Sequence, residues 1–486
     1  MGCGSAVYLL KTVIQNSIRD NTGGLYSFNS GGLILYNQTF TIAKGIEIIK
    51  YEDQRVLINP KNREWVKLAD YAYEFALNPE GKPIKQLIAD EARRTGGTIE
   101  TIGSLFYYLK GNGFLMKIDN TKGLARAYFN ITAQCNLMCP LCYFASEASK
   151  EYKELPYKDA RLIIDILAEA GINNLIVSGG EPLLYQNFQG VLEYAKGKFP
   201  SITVLTNGTI ISKEDATLIS KSMAKVQVSI ESANPQVHDN IRGYGSFNKT
   251  LRGIKTLLQA NVHNIEIVQT LTRNSIHESE GVIKLANILG IDYHFSLFLP
   301  IGRGASHARD MEIPKAELKE HFLKVCSRPL KAIQRVEPRV QGTSSISQPN
   351  ECKPPVDLVV KTRCGAGSNI ISIAPNGKVY PCPLLHTEDL VLGELPKDLI
   401  SEIIKKGTSR VPGIASLPEC QGCDVAFFCG GGCRARAFAH TGDLFSKDPY
   451  CKFYKSVFPA VLWEWREDRV FSDNIAAILS CIEKEG

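Results

Sequence analysis

Cysteine placement constrains this chain more than any other feature of its sequence. The chain has 486 residues and 14 cysteines, yet residues 4–134 contain none. Cys135, Cys139 and Cys142 then arrive together, and nine more lie between Cys326 and Cys451. Disulfide-stapled folds are short, secreted and evenly loaded with cysteine. Clustered thiols in a long chain favour metal ligation instead, so part of this fold is expected to be organised around metal.

Charge and hydropathy narrow the class further. Lys and Arg number 56 against 50 Asp and Glu, a net +6 too small and scattered to predict nucleic-acid binding. No apolar run approaches the ~18–20 residues of a membrane span. The opening Met-Gly-Cys-Gly-Ser-Ala has Ala6 where a myristoylation site has Ser or Thr, and no signal-peptide pattern follows. The expectation is a cytoplasmic protein with no nucleic-acid or membrane partner.

Residues 27–120 read as a small α+β unit. Strand-like runs at Gly32–Tyr36, Ile46–Tyr51, Arg55–Asn59 and Trp65–Leu68 precede helical segments near Asp70–Leu77, Pro83–Arg94 and Ile99–Gly111. A last short strand is expected at Phe114–Ile118, and the whole suggests a winged-helix-like module. Residues 126–300 alternate instead. Apolar strands at Ala127–Ile131, Asn174–Ser178, Ile202–Leu205, Val226–Ile230, Ile265–Thr270 and Tyr293–Phe298 are separated by helices such as Tyr157–Ala170 and Phe188–Lys198. Six such strands argue for parallel βα units closing as a full or partial barrel, with chemistry at the loops after the strand C-termini. Residues 336–362 read as a connecting loop, the Gly- and Cys-rich stretch from Cys364 to Cys451 has little aliphatic core, and Phe458–Trp465 begins a helix.

The first strand runs into Cys135-Asn-Leu-Met-Cys139-Pro-Leu-Cys142-Tyr143. Three thiolates on one loop can hold three irons of a [4Fe–4S] cube and leave the fourth open to a small molecule. Zinc, which would want a fourth ligand, or three unrelated thiols are the alternatives. The second strand ends at Gly179-Gly180-Glu181-Pro182, where glycines let backbone carbonyls come close to an ammonium group and Glu181 adds negative charge. Taken by itself that tetrapeptide is a turn.

A C-x3-C-x2-C triplet with an aromatic after it, at the end of a first strand, resembles the radical S-adenosylmethionine superfamily over about residues 125–300. Gly179, Gly180, Glu181 and Pro182 then look like the family's motif for the amino group of S-adenosylmethionine. Tyr143, Asn207 of Thr206-Asn207-Gly208, Ser229 and Glu231 of Ser229-Ile230-Glu231, and Arg242 of His238-Asp239-Asn240-Ile241-Arg242-Gly243 are further expected cofactor contacts. For Glu231 and Arg242 a structural ion pair stands as the alternative.

Farther on, Cys364, Cys382, Cys420, Cys423, Cys429, Cys433 and Cys451 resemble the SPASM extension of these enzymes, including Gly430-Gly431-Gly432 before Cys433. The resemblance implies two auxiliary [4Fe–4S] clusters. Cys420, Cys423, Cys429 and Cys451 would hold the outer one, and Cys364, Cys382 and Cys433 the inner one. Cys352 is the candidate eighth ligand or a free thiol, and a pair of zinc ribbons is the competing account. Cys3, Cys326 and Cys481 have no partners in sequence.

The resemblance thus implies three [4Fe–4S] clusters, S-adenosylmethionine, and an electron donor such as flavodoxin or ferredoxin. Its fold would be a partial (β/α)6 TIM-type barrel at 121–335, joined by a 336–363 linker to a SPASM domain at 364–460 and a C-terminal helix at 461–486. Reductive cleavage of the cofactor to a 5′-deoxyadenosyl radical would oxidise a substrate, with auxiliary clusters taking up the electron. Residues 1–120 resemble a PqqD-like recognition domain, which implies a precursor peptide with a leader added as an edge strand. Thioether or carbon–carbon cross-linking of that peptide is the leading expectation. A protein, porphyrin or other cofactor precursor is the alternative substrate, and a non-enzymatic electron-transfer protein a remote one. The sequence shows no clear general base, although Tyr143, His238 and the Pro300–Gly304 loop are expected at the cavity mouth.

Overall fold

A computed structural model describes residues 46–51, 54–69 apart from 62, 125–144, 154–314 and 361–464, with scattered residues at 72–114, 317–321 and 474–482. The chain divides into two compact units. The smaller comprises the chain up to Thr121 with Asp357–Thr362 and Gly422–Gly430; the larger comprises the remainder.

In the smaller unit three strands form an antiparallel sheet in chain order, β1 (Glu47–Tyr51), β2 (Gln54–Asn59) and β3 (Glu64–Ala69). Asn59 closes the β2–β3 turn by accepting from the Lys61 amide at 3.1 Å, which suits a residue type that stabilises turns. Val56, Leu57 and Ile58 are fully buried, so the middle strand has cover on both faces. On the neighbouring β3, Trp65 meets the ring of Phe428 edge-on at 5.5 Å. Within the three helices expected after these strands, the described residues, such as Ala72, Ala76, Glu91 and Leu109, are helical. Gly32–Tyr36 and 115–118 lie outside the described residues.

The larger unit is built on a nine-stranded sheet. β4 (Arg126–Thr132), β5 (Asn174–Gly179), β6 (Ser201–Thr206), β7 (Lys225–Ser229), β8 (Ile265–Leu271) and β9 (Asp292–Leu297) pair in that order, all parallel. Helices α1 (Tyr157–Glu169), α2 (Phe188–Ala195), α3 (Lys213–Lys221), α4 (Pro235–Arg242), α5 (Ser246–Gln259) and α6 (Ser279–Leu289) are the crossovers. The architecture is thus the partial (β/α)6 barrel that the sequence led one to expect.

Alternation along the strands separates two environments. Phe129, Val177, Val204, Val226 and Ile267 share one buried cluster with the helices. The opposite face carries Asn130, Ser178, Thr203, Gln227, Ser229, Glu266 and Thr270, register partners or near neighbours across the sheet. Parallel sheets are ordinarily apolar on both faces. A polar second face is what a barrel lumen needs if it is to hold a ligand.

Two features lay beyond the sequence reading. Ile370–Ile373 forms β10, which pairs parallel to β4, followed by β11 (Lys378–Tyr380) and β12 (Gly393–Glu394) in antiparallel succession. The cysteine-rich segment therefore extends the barrel sheet, and Ile371, Ile373 and Val379 join its apolar core. The C-terminal helix also needs correcting. After α7 (Ile400–Arg410) and α8 (Arg434–Thr441), helix α9 spans Cys451–Glu464, so it begins on a cysteine of the field, before Phe458 or residue 461. Pro459 sits inside it.

Candidate active site

Strand β4 ends at Thr132, and the loop after it presents Cys135, Cys139 and Cys142, all free thiols. The loop is held from three sides. From β5, the amides of Gly180 and Glu181 donate to Thr132 O and Gln134 O at 2.8 and 2.7 Å. This close approach is why both positions are glycine. A Cβ on Gly179 would stand 2.2 Å from Thr132 O, and one on Gly180 2.2 Å from Gln134 O. Gly179 also sits at φ +146°, which L side chains disfavour. From β6, Asn207 Nδ2 donates to Asn136 Oδ1 at 2.9 Å and lies 3.9 Å from Cys135 Sγ. From the loop after β9, Arg303 donates from its amide to Cys142 O and from Nη1 to Cys139 O, both at 2.9 Å. Arg303 was not singled out in the sequence, because its partners are backbone carbonyls that leave no pattern.

Glu181 is fully buried. Its carboxylate accepts from Thr206 Oγ1 at 2.7 Å, the Asn207 amide at 2.8 Å and the Leu183 amide at 3.3 Å, tying the ends of β5 and β6 together. Burial pushes its pKa up to about 7 against these donors. Glu231 and Arg242 form the ion pair that the sequence left as one option. Arg242 Nη2 and Nε reach Glu231 Oε1 at 2.5 and 2.8 Å, and the Thr270 amide serves the other oxygen at 2.8 Å. Burial raises the Glu231 pKa while the guanidinium opposes it. Arg242 is held charged by Glu231 and by the neighbouring Cys139 and Cys142 despite its burial. Ser229 is half-buried on the polar face, and Tyr143 lies against Ser178 with its hydroxyl pushed up by burial. His238 is not at a cavity mouth. It is fully buried, its Nδ1 accepts the Glu231 amide at 3.2 Å, and burial depresses its pKa to about 3.

The donor set on the β4 loop fits an iron–sulfur cube. Burial, with Glu181 and the two sister thiols among the causes, pushes Cys135 up to about 11, and burial raises Cys139. Buried thiols raised as Cys135 and Cys139 are give up their protons most readily in exchange for a cation. Three thiols on one loop can hold three irons of a cube, whereas zinc would want a fourth ligand. A second group of thiols behaves alike. Cys382 is driven well up by burial and by Cys364 and Cys433, and all three pack on the apolar cluster of Ala366, Leu385 and Ala435. Cys420 and Cys451 belong to the larger unit and Cys423 and Cys429 to the smaller, while Cys352 lies outside the described residues.

Comparison with known proteins accounts for this arrangement. The model of the radical SAM superfamily matches residues 129–286, and that of the iron–sulfur cluster-binding SPASM domain matches residues 364–424. An AdoMet-dependent heme synthase of Methanosarcina barkeri is 30% identical over 351 residues, covering 66% of this chain and 95% of that protein. The mycofactocin maturase MftC of Mycolicibacterium smegmatis is 28% identical over 331 residues, covering 66% of this chain and 81% of that protein. The solved structure of Streptococcus suis SuiB bound to S-adenosylmethionine shares the fold, with TM-score 0.53 at 16% identity over 85% of this chain and 100% of that one. Loop, lumen and cysteine field together thus identify an enzyme with [4Fe–4S] clusters and S-adenosylmethionine as cofactors, and the chain belongs to the radical S-adenosylmethionine superfamily with a C-terminal SPASM domain.

Proposed function

We propose that the enzyme oxidatively modifies a ribosomally made precursor peptide, forming a thioether or carbon–carbon cross-link. The observation that carries this reading is the second thiol group, Cys364, Cys382 and Cys433, on a segment whose strand β10 pairs with β4 itself. A redox-neutral reaction has no use for a second electron station beside the first. A cluster held by Cys135, Cys139 and Cys142 would, with S-adenosylmethionine, supply a carbon radical able to take hydrogen from an unactivated C–H bond. The chain's own residues position and shield that event. Gly179 and Gly180 fix the loop, Arg242 balances the thiolates, and Asn207, Ser229 and Tyr143 border the polar face.

Peptide as substrate is supported by the relatives' names, a maturase in MftC and a SuiB structure with its precursor peptide SuiA. The antiparallel sheet β1–β3 gives the smaller unit an edge on which an extended leader could pair. A flavodoxin or ferredoxin is the proposed electron donor. A second reading, a porphyrin or other cofactor precursor, is favoured by the heme synthase match, although 66% of this chain already accounts for 95% of that relative.

The test is anaerobic incubation of the reconstituted enzyme with S-adenosylmethionine, reductant and any short leader-bearing peptide found encoded beside its gene. Loss of two hydrogens from the peptide, with 5′-deoxyadenosine formed alongside, is the expected result. An unchanged peptide, with consumption of an iron porphyrin instead, would transfer the assignment to the second reading.

A further inference from the structure

Helix α8 follows Cys433 directly and opens Arg434-Ala-Arg436, and both arginines are buried, at 1% and 5% exposure. Arg434 bonds only to backbone carbonyls, those of Leu444, Ser446 and Gly431. Arg436 Nη1 reaches both oxygens of Asp448, at 3.3 and 3.2 Å, and Tyr454 Oη at 3.0 Å. Asp448 in turn accepts from the Cys433 amide at 2.6 Å and the Tyr450 amide at 2.8 Å. Its main-chain oxygen accepts from the Cys451 amide at 2.9 Å. A Cβ on Gly432 would stand 2.6 Å from the Asp448 carboxylate, so the Gly-rich run is shaped to this side chain.

The charges do not balance. Two guanidiniums are buried on one helical turn, Arg434 on backbone carbonyls and Arg436 on Asp448 and over the Tyr450 ring at 4.6 Å, and among the described residues Nε of each has no acceptor. Burying an uncompensated cation costs several kcal/mol unless an anion completes it. Cys433 caps the start of this helix, its thiol raised by burial but lowered by Arg436, and it shares an apolar cluster with the thiols of Cys364 and Cys382. A cube held by thiolates is an anion rich in sulfur acceptors, and the net charge around it sets its potential.

We propose that Arg436, positioned by Asp448, is the buried counter-charge of the auxiliary cluster held by Cys364, Cys382 and Cys433, and raises that cluster's midpoint potential. The proposal rests on the assignment of those three cysteines as ligands. A cation beside the cube stabilises its reduced form, so this station is the one ready to accept an electron from an oxidised substrate. Asp448 moderates the effect and holds the Cys433 backbone in place. The segment thus carries its redox setting within the turn that supplies its ligand.

The test is an EPR-monitored potentiometric titration of the full chain, reconstituted anaerobically, with iron counted on each variant. R436Q should move one auxiliary midpoint to lower potential with iron unchanged, and R436K should stay close to the parent. D448N, which keeps an acceptor for the Cys433 amide but removes the negative charge, should move the same midpoint up. Unmoved midpoints in R436Q at full iron would overturn the proposal, as would an R436K shift as large as that of R436Q. If R436Q loses iron, an unmoved midpoint in D448N overturns it instead. A C364A/C382A/C433A variant retaining all its iron would break the underlying ligand assignment, a separate failure read without any titration.

Discussion

Replacing Gly180 with alanine tests whether the meeting of β5 with the cysteine loop positions the cofactor chemistry. Gly180 does not occupy the left-handed region, so alanine brings no backbone strain and acts by size alone. Its Cβ would stand 2.2 Å from Gln134 O, where ordinary contact begins near 3.4 Å. One of the two strands must therefore retreat by about 1 Å. The retreat disturbs the 2.7 Å bond from the Glu181 amide to Gln134 O, one residue before Cys135. Overpacking of this kind costs about 1–3 kcal/mol of stability. A displacement of roughly 1 Å in the positioning frame can cost about 100-fold in rate. The assay is 5′-deoxyadenosine formation under dithionite with iron content measured in parallel. G281A is the control, because its Cβ would meet only Ala233 Cβ, at 3.3 Å, from within α6. G180A at the parent rate, iron content and melting temperature would refute the reasoning, since the glycine would then be dispensable.

Three further outcomes are expected. Alanine at Cys135, Cys139 and Cys142 together should remove about 4 irons per chain and abolish 5′-deoxyadenosine while the remaining clusters persist; retained cleavage would sink the loop as the cofactor site. R242M leaves Glu231 buried without its cation and should cost about 3–5 kcal/mol in urea denaturation, of which the E231Q/R242M double variant recovers part. Glu181 ordinarily titrates near 4.5 and in the fold near 7, so between these values the unfolded chain has released a proton that the folded chain keeps. Stability should therefore fall as pH rises through that window, by on the order of 3 kcal/mol in all, and E181Q should flatten the slope.

Much of the barrel was legible because its strands are apolar on the helix-facing side and long enough to interrupt the helical period. The three strands of the cysteine-rich segment were not. Ile370–Ile373 has four residues and Lys378–Tyr380 three, and the partner of the first lies more than 240 residues earlier. No local pattern carries such a pairing. The start of α9 was missed because its buried stripe begins only at Val457 and Pro459 reads as a breaker. Within the site, cysteines and glycines announced themselves, since few other residues can take their places. The role of Arg303 was hidden because it acts on backbone carbonyls that any sequence would supply, and the sequence pointed to Glu181 without showing that it ties β5 to β6 through Thr206 and two backbone amides.

The pairing of β10 with β4 has a consequence for how such enzymes can diverge. The strand that runs into the three-cysteine loop is paired along four residue pairs to the strand within the cysteine-rich segment. The register of the cysteine loop against the auxiliary segment is therefore set by neighbouring rungs of one ladder. Loops elsewhere on the barrel can accordingly vary what enters the lumen while the two cysteine-bearing segments keep their register.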